Sequence, residues 1–193
     1  MKKTAILILA AGSSKRMGTA KQLLPYKKTT LLGWAISQAK QTKTSSIFCV
    51  LGANVTNIKE KIKQHKIDII FNTNFKNGLS SSIVAGINHL ITENFDAVLI
   101  MLADQPNVNS RYLNKLIITS EENPKKIIVS NYTDKIGVPA IFPKHYFNQL
   151  VNLKGDKGAS LFLNNHVSET IKMPLFNLID IDTKEDYQKL INK

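Results

Sequence analysis

Two hydrophobic rhythms alternate along this chain. Short, continuous apolar runs occur at residues 5–9, 47–51, 67–71, 97–102 and 126–129, with lesser ones at 138–142 and near 170–173. Runs of this length, rich in Ile, Val and Leu, read as buried strands. Between them lie stretches with helical spacing at 31–39, 55–65, 81–91, 110–120, 146–150, 159–164 and 185–191. The β-α-β-α order predicts an α/β fold, with a mainly parallel sheet between two layers of helices. No repeat, low-complexity tract or linker rich in Pro, Gly and Ser interrupts the pattern, so residues 1–193 are expected to form one domain. In such sheets ligands bind beyond the carboxyl ends of the strands.

Composition adds limits. A chain of 193 residues with 43% hydrophobic content can bury a full core. Its longest apolar run, residues 97–103, is too short to cross a bilayer, so no membrane association is expected. Met1-Lys2-Lys3 and the apolar residues after it mimic a short signal peptide, but that segment runs straight into a loop with chemistry of its own. Cys49 is the one cysteine, which excludes an internal disulfide; a cytoplasmic protein is the natural expectation. The net charge of +12 raises the question of nucleic acid. The lysines are spread over the whole chain with no block of five like charges, so no nucleic-acid partner is expected. The charge still favours approach of a polyanionic nucleotide.

The most informative stretch is Leu9-Ala10-Ala11-Gly12-Ser13-Ser14-Lys15-Arg16-Met17-Gly18, followed by Lys21-Gln22-Leu23-Leu24-Pro25. A strand that empties into a loop of small residues brings backbone N–H groups close to a ligand. Such N–H clusters bind phosphate. Arg16 and Lys21 add fixed positive charge, and Arg16 is one of only two arginines in a chain otherwise rich in lysine. The loop is neither a Walker A motif, since no Lys-Ser/Thr follows Gly18, nor a dinucleotide fingerprint, since only Gly12 and Gly18 are available. The alternative is a plain glycine turn with solvated cations.

Other segments converge on the same edge. Asp104-Gln105-Pro106 follows the apolar run 97–102, where a carboxylate suits Mg²⁺ held by few protein ligands plus substrate phosphates. Its alternative is a turn or helix-cap aspartate. Gly78-Leu79-Ser80-Ser81-Ser82 opens a helical pattern, where the serines either cap the helix or meet a ribose or base. Asn54, after the second strand, is open to the same two readings. Asp180-Ile181-Asp182-Thr183 is expected to end the last strand. Asp182 is either a second metal ligand or part of a helix start, because Thr183-x-x-Asp186 is a capping-box pattern. The four histidines show no metal spacing.

The loop with Lys21-Gln22-Leu23-Leu24-Pro25, the run Met101 to Pro106, the Gly78–Ile83 segment, Gly137-Val138-Pro139-Ala140 and Gly155-Asp156-Lys157-Gly158-Ala159 together resemble the MobA-like NTP transferases, in particular the molybdenum cofactor cytidylyltransferases. The resemblance runs from Leu9 to Asp186. It implies a Rossmann-like three-layer sandwich of the nucleotide-diphospho-sugar transferase type, with one antiparallel strand. It also implies CTP and the molybdenum cofactor (molybdopterin) as substrates, Mg²⁺ as cofactor, and a recipient molybdenum hydroxylase as protein partner. Carried onto this chain, the nucleotide-binding residues are Leu9, Ala10, Ala11, Gly12, Lys21, Asn54, Ser80, Ser81 and Ser82. The catalytic residues are Arg16, Lys21 and Asp104, and the metal ligands are Asp104 and Asp182. Ser160 stands where the family pattern commonly has Arg, which leaves the acceptor open. GTP, or another phosphorylated acceptor, is the alternative.

Overall fold

The computed structural model describes residues 3–14, 16–44, 46–133 and 135–192. The strands are β1 (Thr4–Leu9), β2 (Pro25–Tyr26), β3 (Thr29–Thr30), β4 (Ile47–Leu51), β5 (Asp68–Phe71), β6 (Ala97–Leu102), β7 (Ile127–Asn131), β8 (Ile136–Pro143) and β9 (Thr170–Lys172). The helices are α1 (Leu31–Lys40), α2 (Val55–Ile62), α3 (Leu79–Leu90), α4 (Ser110–Glu122), α5 (Phe147–Leu150), α6 (Ser160–Asn165) and α7 (Lys184–Ile191). Seven strands form one sheet in the order β5-β4-β1-β6-β8-β7-β9, and β2-β3 make a separate hairpin.

Strand β1 has no polar face because it sits inside this sheet, parallel to β4 on one side and β6 on the other. Ile6, Ile8 and Ala10 join a core with α1, α2 and α4. Ala5, Leu7, Leu9 and Ala11 join a second core with α3, α5 and α6 on the opposite face. This is the expected three-layer sandwich. The one antiparallel strand is β8, which opposes both β6 and β7. No helix among the described residues is long and apolar enough to cross a membrane.

Three expectations need correction at their edges. Helix α3 starts at Leu79, two residues before the serine pair at 81–82, because Gly78 at φ +91° turns the chain into it. The 55–65 stretch is α-helical only to Ile62 and then tightens into a 3₁₀ turn at Lys63–His65. The last strand does not run on to Asp180–Thr183. Met173 N–H makes the final ladder bond, to Val129 O at 2.9 Å. Pro174 follows and has no N–H to continue the ladder. Residues 174–182 instead cross back over the strand ends as an irregular strap. It is pinned by Ile181 N–H to Asp104 O (3.0 Å) and by Asn107 Nδ2 to Asn177 O (2.9 Å).

Candidate active site

Because β1 and β6 are parallel neighbours, their carboxyl ends open side by side, with Leu9 level with Leu102. The loop after β1 therefore faces the turn after β6. Ala10 N–H bonds Val50 O, Ala53 N–H bonds Ala11 O, and Ala103 N–H bonds Leu9 O, so the first loop residues still ride on the sheet. Gln22 then fixes the loop from behind. Its buried side chain donates from Nε2 to Ala10 O (3.0 Å) and Gly12 O (2.8 Å), and its Oε1 accepts from Ser14 Oγ at 3.3 Å. Ser14 Oγ in turn accepts from Lys21 N–H at 3.1 Å. The turn after the loop thus sets the loop's own shape.

A cleft of about 300 Å³ opens above these strand ends. Leu9, Ala10, Ala11, Gly12, Lys21 and Asp104 line it, together with Asp180 and Asp182 from the strap. A smaller lobe of about 160 Å³ adjoins it and shares Leu9, Leu79, Leu102 and Asp180. Tyr132, Lys135, Val138, Lys157 and Ser160 line that second lobe.

Lys21 joins the two halves of the main cleft. Its Nζ pairs with Asp104 Oδ2 and, at 2.7 Å, with Asp182 Oδ1. Burial disfavours the ammonium, but the pull of Asp104 and Asp182 outweighs it and raises the Lys21 pKa. Asp104 is also held above the ordinary carboxylate range. Burial is the chief cause, Asp180 and Asp182 add repulsion, and Lys21 offsets only part. Three carboxylates against one ammonium leave the cleft short of positive charge.

That deficit is the test for a divalent cation. Asp104 Oδ1 is buried and has no hydrogen-bond partner among the described residues. An orphaned carboxylate oxygen deep in a cleft, with a second carboxylate across from it, is an oxygen donor set suited to Mg²⁺ or Mn²⁺. No three His, Cys, Asp or Glu side chains among the described residues converge on one point. The remaining ligands would therefore come from substrate phosphate and water, as is usual for Mg²⁺. Asp104 is not a helix cap: Asn109 caps α4 by accepting from Tyr112 N–H at 2.9 Å. Thr183 and Asp186 form the full capping box of α7, and Asp182, half-exposed just before it, remains free to face the cleft.

The other expected residues are placed differently. Arg16 is exposed and does not line the cleft. Asn54 starts α2 in a left-handed conformation (φ 55°) without capping it through its side chain, and it too is outside the cleft lining. The serine hydroxyls are used within the fold. Ser80 Oγ donates to Lys154 O and Gly158 O, Ser81 Oγ donates to Gly78 O, and Ser81 and Ser82 both accept from the buried Asn72 amide. From this segment it is Leu79 that reaches the cleft wall.

Sequence reasoning assigned no role to three residues that shape the site. Asp180 lines both lobes, Gln105 holds it by an Nε2 bond to Asp180 Oδ1 (2.8 Å), and Gln22 holds the loop. Both glutamines carried a signal, a polar amide beside a charged site residue in an otherwise apolar neighbourhood. Asp180 carried a weaker one, because it sits in a segment without regular structure.

The sequence matches other proteins along almost its whole length. It is 27% identical to the nicotine blue oxidoreductase of Paenarthrobacter nicotinovorans, covering 96% of this chain and 95% of that protein. It is also 27% identical to the molybdenum cofactor cytidylyltransferase of Escherichia coli (strain K12), covering 94% and 92%. The crystal structure of Rv0371C of Mycobacterium tuberculosis H37Rv in complex with manganese superimposes with a TM-score of 0.80, at 25% identity and full coverage of both chains. The architecture is that of nucleotidyltransferases of the nucleotide-diphospho-sugar transferase type. The model of the MobA-like NTP transferase domain matches residues 6–170, which span the loop, Asp104 and the second lobe apart from Asp180, and the chain belongs to that family.

Proposed function

We propose that this nucleotidyltransferase moves CMP from CTP to the terminal phosphate of molybdopterin-bound molybdenum, releasing pyrophosphate. The observation that carries the reading is the two-lobed cleft at the ends of β1 and β6, with Lys21 between Asp104 and Asp182. The larger lobe suits the nucleoside triphosphate, and the smaller suits the phosphate end of the acceptor. The acceptor phosphate attacks the α-phosphorus of CTP in line, and the bond to the pyrophosphate oxygen breaks. No protein nucleophile is required, so catalysis rests on positioning and charge stabilisation. Backbone N–H groups of Ala11 and Gly12 and the Lys21 ammonium hold the triphosphate and stabilise the leaving pyrophosphate, the N–H of the expected Ala10 being taken by Val50 O. Arg16 closes on the outer phosphates from the loop's exposed side. Asp104 and Asp182 would hold Mg²⁺, which when bound neutralises phosphate charge. A molybdenum hydroxylase would receive the product.

Ala11 lines the nucleotide lobe, and we take its methyl group, which a glycine would lack, to narrow the space for a base. CTP is expected to be preferred over GTP by at least about tenfold in kcat/KM, or roughly 1.4 kcal/mol. Pyrophosphate release measured with each of the four NTPs, with and without molybdenum cofactor, tests donor and acceptor together. Cofactor-independent turnover, or equal use of CTP and GTP, would overturn this assignment.

A second reading has its own observation. Ser160 lines the acceptor lobe beside Lys135 and Lys157. A hydroxyl grips phosphate more weakly than a guanidinium. The same chemistry with GTP, or on a different phosphorylated acceptor, fits that lining, and turnover with such an acceptor in the same assay would favour it.

A further inference from the structure

The Lys21 ammonium occupies the space between the two carboxylates on which a divalent cation would depend. It contacts Asp104 Oδ2 and, at 2.7 Å, Asp182 Oδ1, with side chains of Lys21 and Asp104 only 16% and 14% exposed. We infer that Lys21 is the resident counter-cation of this site and excludes a divalent metal until a polyphosphate draws the ammonium away, so that metal and nucleotide enter as one complex. The inference rests on the reading of Asp104 and Asp182 as metal ligands.

The argument is one of competing partners. A metal on the unpartnered Asp104 Oδ1 would share that carboxylate with the ammonium on Oδ2, and the repulsion between two cations so close in a poorly solvated cleft is strong. A metal arriving alone must therefore displace Lys21. The displaced ammonium would be left largely buried without a partner, which is costly. Within the cleft, the remaining carboxylate, Asp180, is already engaged by Gln105 Nε2 at Oδ1, and the backbone of residues 10–12 is held by Gln22 and carries no charge that could take the ammonium. A triphosphate changes the balance. It gives Lys21 a new anionic partner beside the loop and brings additional oxygen ligands for the metal. Each ligand then strengthens binding of the other, as linkage requires. Lys21 thereby has two successive partners, the carboxylates before the nucleotide arrives and the phosphates after.

The test uses the metal alone. Mn²⁺ binding to the nucleotide-free full chain is measured by electron paramagnetic resonance for the wild type, Lys21→Met and Lys21→Gln. The glutamine variant retains hydrogen-bond donors but loses the charge, and it guards against a methionine variant that fails to fold. Both variants are expected to bind Mn²⁺ at least about tenfold more tightly than the wild type, and the gain is expected to vanish in Lys21→Met/Asp104→Asn. Equal or weaker binding by the Lys21 variants overturns the inference. If the wild type itself binds Mn²⁺ tightly in an Asp104-dependent manner, Asp104 stands as a metal ligand and only the exclusion by Lys21 falls. If Asp104→Asn leaves all Mn²⁺ binding untouched, the inference and the metal reading fall together. The transfer of CMP is judged separately, by pyrophosphate release.

Discussion

Asp104 is a carboxylate placed where the fold alone would not choose one. Burial and the nearby Asp180 and Asp182 raise its pKa despite Lys21, so the protein holds the ionised form at a cost. A carboxyl whose folded pKa lies above its unfolded value weakens the fold as pH climbs through that interval, and the cost is fully present only above the raised folded pKa. Asp104→Asn keeps the shape and removes the charge. Its thermal midpoint at neutral pH is expected to hold or rise, while turnover falls by about 10² or more. Full turnover at unchanged Mg²⁺ demand would remove Asp104 from the site. Cys49 makes the opposite kind of prediction. It is fully buried in β4, and burial pushes its thiol up to about 12. Ellman's reagent is expected to leave it untouched in the native protein and to titrate one thiol after denaturation. Rapid labelling without denaturant would mean that β4 opens far more readily than its packing implies.

Among elements, α7 is held by its N-terminal cap and one tyrosine rather than by a buried face, for none of its residues is buried. Its capping box supplies local stability, and Tyr187 Oη donates to Pro25 O at 2.7 Å, tying it to the β2–β3 hairpin. Thr183→Ala removes both the cap and a partner of Asp186. A loss of about 1 kcal/mol is expected from denaturant unfolding. The Thr183 hydroxyl and N–H hold the Asp186 carboxyl below its usual range. This contribution is thus present above the unfolded aspartate pKa and is lost as pH falls through the lower folded value. In acid the gap between the wild type and Thr183→Ala should narrow by the share that the Thr183 hydroxyl gives the ionised Asp186, while the share from Asp186 N–H to Thr183 Oγ persists; a gap that does not narrow would argue against the carboxylate's part in the capping box. Since the cap begins one residue after Asp182, the same variant is expected to raise the metal concentration needed for half-maximal turnover. The elements also show what the sequence made legible. Apolar runs located the main-sheet strands because residues such as Ile6 and Leu7 are buried on both faces, so continuity rather than alternation marked them. The β2–β3 hairpin escaped notice because each strand is only two residues long. The strap 174–182 looked like a strand because Leu175, Phe176 and Leu178 are apolar, although Pro174 had already ended the ladder. The serines at 80–82 and Asn54 drew attention by residue type, by their place at a helix start and by the resemblance, and none of these reveals which hydroxyls are already bonded.

For the molecule as a whole, the charge of +12 comes from lysines spread along the entire chain. Binding to random duplex DNA is expected to be weak and to vanish near about 0.15 M salt. A sub-micromolar complex surviving that salt, measured by fluorescence anisotropy, would reveal a nucleic-acid surface that the lysine distribution does not suggest. The order in which the chain fills the sheet carries a different consequence. The central strands β1, β4 and β6 and the nucleotide loop are all in place within the first 102 residues, whereas Asp180 and Asp182 arrive only with the strap that folds back over them. During synthesis, a chain emerging from the ribosome would therefore carry the loop of residues 10–14 long before it carried the carboxylates opposite. Until residue 182 clears the exit tunnel, Lys21 has only Asp104 to meet.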